Sequence, residues 1–204
     1  MSTAILPTAY LGPLQYYSKL KNHNNCIIEI HEHFPKQTYR SRCDIYSPNG
    51  ILTLSLPLVK RNHRQAVKEV KISYEYDWQK LHWRSLESCY RRSPFFEYYE
   101  DDFLPFYTEK KFEYLIDLNE SLNQKIIEFL KLKLNCKLSL EYQKEYVGMH
   151  DYRSIISPKK DHQDDAEFKS EPYWQVFETK HGFFPNLSVL DLLFNQGSKA
   201  QDYL

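Results

Sequence analysis

The chain has little that would staple it, anchor it or give it a charge of one sign. Its 204 residues include four cysteines, Cys26, Cys43, Cys89 and Cys136, and no C-x-x-C pair. Their wide spacing argues against a disulfide or zinc framework, and three of them interrupt apolar segments as free buried thiols do. No run approaches the roughly 18 apolar residues that a membrane-crossing helix needs. The opening "MSTAILPTAYLGPLQYY" lacks the basic lead and apolar core of a signal peptide. No membrane insertion is expected, and the expected location is the cytoplasm. Lysine plus arginine number 27 and aspartate plus glutamate 27, so no strong field exists to attract nucleic acid. There is no internal repeat and no G-x-G-x-x-G or Walker pattern. The stretch "AYLGPLQYY" offers a single glycine, Gly12, for a phosphate-cradling turn.

What is present is aromatic and alternating. The 17 tyrosines and 12 phenylalanines bring apolar area with polar tips, suited to a core with wet edges. The length fits one domain spanning residues 1–204, large enough to bury a core without staples. Ala4 to Leu6 read as a first strand, "LQYYSKLKN" as a helix with Leu14, Tyr17 and Leu20 on one face, and "CIIEI" as a second strand. "TYRSRCDIYS" and "ILTLSLPLVK" flank "PNG", where Asn49-Gly50 signals a β-hairpin. The alternation of Leu52, Leu54, Leu56 and Leu58 predicts one buried face on the second arm. A further strand is expected near Val70 to Ser73. Asp77 caps a helix "WQKLHWRSLESCYRR" with Trp78, Leu81, His82, Ser85 and Cys89 on one side. "FFEYYEDDFLPFYTEKKFEYLIDL" reads as helical with a break at Pro105, and Asn119 as the cap of the next helix. "KLSLEYQKEY" reads as a late strand, and Leu187, Leu190, Leu193 and Phe194 mark a terminal helix stopped by Gly197. The polar stretch 150–171 is expected to be a mobile loop or lid. The fold class is therefore α/β: a single-domain layered sandwich with an N-terminal mixed sheet including the hairpin, helices following, and a C-terminal helix.

Packing does not readily account for "IEIHEHFPKQTYRSR". In an extended segment Glu29, His31 and His33 project from one face. Two imidazoles with a carboxylate suit a transition metal, but no third histidine or cysteine is placed nearby, so no metal is expected there. On an alternating strand Arg40 and Arg42 share a face about 7 Å apart, a match for a phosphate or carboxylate. Lys36 and Gln37 in the preceding loop strengthen that anion reading. The alternative is that the arginine stems merely cover the sheet. His82, beside Trp78 on its helix, has the placement of a hydrogen-bonded core histidine.

The order and spacing of five segments carry a resemblance. They are "PTAYLGPLQYY", "HEHFPKQTYRSRC", "PNGILTLSLPLVK", "DWQKLHWRSLESCYRRSPFFEYYEDDF" and "GFFPNLSVLDLLFNQG". Together they resemble the WbqC-like family of bacterial proteins, in its Bacteroidetes-type form, over nearly the whole chain outside 150–171. The family's Y-R-N-R stands here as Tyr39-Arg40-Ser41-Arg42. Its leading His-Gln-Pro-Asn-Tyr is replaced by Leu6-Pro7-Thr8-Ala9-Tyr10, which keeps only the tyrosine. The family pattern falls on Tyr10, Gly12, His31, Glu32, Lys36, Gln37, Tyr39, Arg40, Arg42, Trp78 and His82, and passes over His33.

The family is associated with surface-polysaccharide and O-antigen gene clusters. The resemblance therefore implies a transferase of acyl or aminoacyl type acting on an activated sugar or sugar-linked precursor. His31 is then the expected base, with Glu32 as its neighbouring carboxylate, and Tyr10, Lys36, Gln37, Arg40, Arg42 and His82 are the expected substrate-binding residues. The expected partner is a small anionic substrate, a nucleotide sugar or activated acyl donor. No cofactor is expected. The rival readings are a non-catalytic protein that binds a polysaccharide precursor or biosynthetic partner, and a metal-dependent hydrolase using His31 and His33.

Overall fold

The computed structural model describes residues 2–60, 64–109 and 112–204. Strand β1 (Thr3–Pro7) is followed by helix α1 (Leu14–Asn22) and strand β2 (Asn25–Glu29), which returns parallel to β1 in register Thr3↔Asn25 through Pro7↔Glu29. β3 (Arg42–Ser47) and β4 (Gly50–Ser55) form the hairpin. Gly50 at φ 99° supplies the left-handed conformation the turn needs. The hairpin makes a two-stranded sheet of its own beside the parallel one. Leu54 and Leu56 are buried as the alternation predicts, whereas Leu52 near the hairpin end is exposed.

Helices then dominate. α2 (Trp78–Tyr90) starts at Asp77, whose carboxylate accepts from the Lys80 amide, an N-cap satisfying an orphan donor. Its buried side carries Trp78, His82, Leu86, Cys89 and Tyr90, while Leu81 turns to solvent. α3 (Phe96–Phe103) and the single turn α4 (Pro105–Thr108) follow, broken at the expected proline. Two pieces of the sequence reading, Lys110-Lys111 in the second helical stretch and Arg61 to His63 ahead of the expected strand, lie outside the described residues. The strand expected near Val70 to Ser73 is not formed. Ile72 and Lys71 make isolated bridges to Leu58 and Tyr114, leaving the segment a spacer between hairpin and helix.

α5 (Leu115–Phe129) begins four residues before the expected cap at Asn119. The reason is tertiary: Leu115 and Leu118 extend the buried stripe of Leu122 and Ile126, and Asn119 is itself buried. Each such leucine or isoleucine contributes about 1.5–3 kcal/mol by leaving water. β5 (Asn135–Leu138) joins β2, β6 (His150–Asp151) joins β1, and the parallel sheet has the order β5-β2-β1-β6. After the single turn α6 (Glu178–His181) comes α7 (Val189–Gln196), capped by Ser188 and ended at Gly197 with φ 55°, and a 3-10 helix over Gly197–Tyr203 follows it.

The reading of the cysteines is corrected. Cys26 and Cys136 stand opposite each other in the β2–β5 register and are disulfide-bonded, with Cα atoms 4.6 Å apart. Only strand pairing brings them together across 110 residues, so spacing along the chain carried no sign of it. Cys43 and Cys89 are free and buried. The stretch 150–171, polar in composition, still contributes apolar groups to the fold. It supplies β6, and Tyr152, Ile156 and Phe168 join the core.

Candidate functional site

The chain steps outward from β1 to β2 to β5, then crosses to the other side of β1 for β6. The strand order therefore reverses between β1 and β6. In open parallel sheets the crevice beyond the carboxyl ends of the strands at such a reversal is the usual place for a ligand. Here the segments leaving β2, β5 and β6 line a cleft of about 440 Å³. Glu32, Thr38 and Arg40 come from the first, Tyr142 and Lys144 from the second, and Asp151, Arg153, Ser154 and Ser157 from the third.

The floor beneath these groups is held by Glu29, the last residue of β2 and fully buried. Its carboxylate accepts from the His31 amide at 2.6 Å, the Ser139 hydroxyl at 3.0 Å and the Tyr146 hydroxyl at 2.6 Å. Three donors satisfy this buried carboxylate. The Arg153 guanidinium stands 3.8 Å away.

Two arginines reach the cleft, each beside its own carboxylate. Arg40, 3% exposed, donates through Nε to Glu32 at 2.9 Å and through Nη2 to the same oxygen. Burial raises the Glu32 carboxyl above its usual value, and the Arg40 guanidinium opposes that rise. Arg153 forms a fork on Asp151 and also donates to the carbonyls of Gln143 and Lys144. Burial acts to raise Asp151, but the Arg153 bonds outweigh it and hold the carboxyl below its usual value. The Arg153 guanidinium also lies 5.0 Å from the Tyr146 ring and 6.0 Å from the Tyr142 ring. Three cations and two carboxylates line the cleft together with threonine and serine hydroxyls, and a third carboxylate, Glu29, lies 3.8 Å from Arg153 beneath it.

The loop bearing Arg40 is fixed from behind. Asn119 on α5 donates to the Arg40 carbonyl at 2.8 Å and to the Thr8 hydroxyl at 3.1 Å, tying it to the end of β1. The next residue, Glu120, is half-buried, and its carboxyl Oε1 lies out of solvent with no hydrogen-bond partner. Burial pushes its pKa up to about 7, with a bond to Thr8 opposing. A carboxyl raised in the folded state binds its proton more tightly there, so its destabilising charge is fully present above about pH 7 and fades as the pH falls toward 4.5. Glu120→Gln is accordingly expected to stabilise the protein by about 2 kcal/mol at pH 8 and by only about a quarter of that at pH 5. Urea melts at the two pH values measure it, and an equal gain at both would contradict the assignment.

The expected site residues divide by place. Glu32 and Arg40 line the cleft, while Lys36 and Gln37 are exposed on the loop between them. Arg42 opens β3 and donates to the Gln37 carbonyl at 2.6 Å, apart from the cleft lining. The shared strand face expected for Arg40 and Arg42 does not form, because β3 starts only at Arg42 and Arg40 lies in the preceding turn. His31 stands two residues beyond β2 and its Nε2 donates to the Ser139 carbonyl at 3.2 Å, which leaves Nδ1 as the basic nitrogen. His33 is exposed, and no third ligand gathers with it and His31 among the described residues. Tyr10 and His82 are core residues joined at 2.9 Å, with Tyr107 at 3.1 Å from the Tyr10 hydroxyl. Burial lowers the His82 pKa to about 4, the Ser55 carbonyl opposing.

Arg153, Lys144 and Asp151 were missed as site residues. The available signal was positional: residues following a late parallel strand stand at the carboxyl edge, and Asp151-x-Arg153 is a same-face pair in extended backbone. These features define an α/β protein with an arginine-bearing cleft at a strand-order reversal. The chain belongs to the WbqC-like protein family, whose model matches residues 8–203. It is also 27% identical over 223 residues to the uncharacterized protein Rv1507c of Mycobacterium tuberculosis, covering 98% of this chain and 96% of that protein. No solved structure matches the chain significantly.

Proposed function

We propose that the protein is a transferase of acyl or aminoacyl type that takes an activated, phosphate-bearing sugar or sugar-linked precursor of surface-polysaccharide biosynthesis. The observation that carries the reading is the convergence of Arg40, Lys144 and Arg153 on one cleft beyond the carboxyl edge of the parallel sheet. A phosphate there meets two guanidinium groups already held in place by Glu32 and Asp151, so little side-chain freedom is lost on binding. The serine and threonine hydroxyls suit a sugar. His31, two residues beyond β2 and apart from the cleft lining, is the base that takes a proton from an attacking hydroxyl or amine. Burial raises the thiol of Cys43 well above its usual value and that of Cys89 to about 11, which favours direct transfer over a thioester intermediate.

A thermal-shift panel of nucleotide sugars, acyl-CoAs and aminoacyl donors tests this. Nucleotide sugars are expected to raise the unfolding midpoint, since a ligand at about 100 times its Kd adds about 2.7 kcal/mol to the folded state. A panel in which no phosphate-bearing compound moves the midpoint would count against the reading.

A further inference from the structure

A second group of chemically active side chains gathers on the amino-terminal side of the same sheet, away from Arg40 and Lys144. His23 lies between α1 and β2, His150 opens β6, and Glu167 comes from the segment that follows. One ligating atom from each of the three lies within 4.8 Å of the others. The imidazole centroids of His23 and His150 are 4.9 Å apart, and His150 Nδ1 stands 3.9 Å from the Glu167 carboxylate.

We propose that His23, His150 and Glu167 bind a first-row transition ion, zinc foremost. Two imidazoles and one carboxylate are the donor set of zinc centres that keep an open fourth position. The three donors come from three different parts of the chain, so the ion would tie the segment around residue 167 to α1 and to the edge of the sheet.

The arrangement around His23 suits this. The Tyr152 hydroxyl donates to Glu167, so His23 Nε2 donates to the Tyr152 oxygen at 3.0 Å, and Nδ1 accepts from the Ser2 hydroxyl at 2.8 Å. On metal binding the ion replaces the Nε2 proton, and the ring takes the other neutral tautomer. Nδ1–H then donates to Ser2, as metal-bound histidines use their second nitrogen to fix the ring. Tyr152 remains on Glu167 and orients it.

Zinc–nitrogen bonds of about 2.0–2.1 Å require the donors to draw together by roughly 1 Å. His23 is buried and supplies the fixed point, while His150 and Glu167 are 47% and 56% exposed and have room to close. Lys19 Nζ, 3.7 Å from Glu167, opposes a cation, but it is neutralised by Asp165 at 2.8 Å. An open cleft lined by His150, Asp161, Asp164 and Glu167 gives the ion its way in and a face for water or a ligand.

The test is calorimetric titration of tag-free, chelator-stripped protein with zinc sulfate, together with visible absorption after cobalt loading. One ion per chain is expected, with the absorption of a tetrahedral nitrogen–oxygen cobalt site. His150→Ala and Glu167→Gln, both at exposed positions, are expected to weaken binding at least tenfold, and His31→Ala/His33→Ala to leave it unchanged. No saturable one-to-one binding would overturn the assignment. So would equal affinity in the His150→Ala/Glu167→Gln double variant, or loss of binding in His31→Ala/His33→Ala.

Discussion

Lys19→Met is expected to lower the unfolding free energy by about 3–5 kcal/mol, the cost of leaving a buried charge without its partner. Lys19 on α1 is 1% exposed and Asp165 4%, and their charged atoms meet at 2.8 Å. Gln15 donates to the same carboxylate at 2.8 Å, the Glu167 amide donates at 3.1 Å, and the ammonium lies 4.7 Å from the centre of the Tyr152 ring. Burial acts to raise the Asp165 carboxyl, but Lys19 and Gln15 outweigh it and hold it below its usual value. A depressed carboxyl contributes stability above its unfolded pKa that is lost as the pH falls through the folded one. The pair therefore stabilises the protein at neutral pH and stops doing so only in strong acid. For a chain of this length the midpoint should fall by roughly 10 °C. Asp165→Asn in the Lys19→Met background removes the stranded charge while keeping an acceptor for Gln15, and should restore most of the loss. Denaturant melts of the two single variants and the double variant give the coupling directly. An additive double variant would mean that the two groups do not interact.

The largest functional effect is expected at the cleft. A charge-assisted hydrogen bond contributes about 1.5–3 kcal/mol, which is roughly 10- to 150-fold in affinity. Arg153→Lys keeps the positive charge but loses the planar fork by which Asp151 holds that charge at the cleft, so it should weaken a nucleotide sugar by about tenfold. Lys144→Ala removes an exposed charge without touching the core, and is expected to cost a similar factor and to lessen the salt dependence of binding. The two together should approach a hundredfold. Arg40 is a poor choice for this test, because its removal leaves Glu32 partly buried without a counter-ion.

The local elements of this fold were legible, and the reasons are local too. Asn49-Gly50 marked the hairpin because Gly50 takes the positive φ at its turn, and Asp77 marked the start of α2 because its carboxylate reaches an orphan amide. Ser188 and Gly197 delimit α7 around a run of buried leucines. What stayed hidden depends on pairing distant parts of the chain. Strand β6 is two residues long and is recognisable only by its hydrogen bonding to β1. The Cys26–Cys136 bond follows from the β2–β5 register, and α5 starts early because Leu115 has a core to enter. The lining of the candidate cleft was half legible for the same reason. Glu32 and Arg40 lie near the end of a recognisable strand, whereas Lys144 and Arg153 reach the cleft only through the strand-order reversal. His82 shows the opposite case, a histidine in the family pattern that packs against Tyr10 inside the core.

The measurement that bears most directly on the cleft is calorimetric titration of a nucleotide diphosphate sugar into three proteins. These are the wild type, Arg153→Lys, and the double variant Lys144→Ala/Arg153→Lys, at one fixed ionic strength. One-to-one binding to the wild type is predicted, about tenfold weaker in the single variant and close to a hundredfold weaker in the double, with all three proteins folded by circular dichroism. Equal affinities across the three, or heat that never saturates in the wild type, would contradict an anion site between Arg40, Lys144 and Arg153.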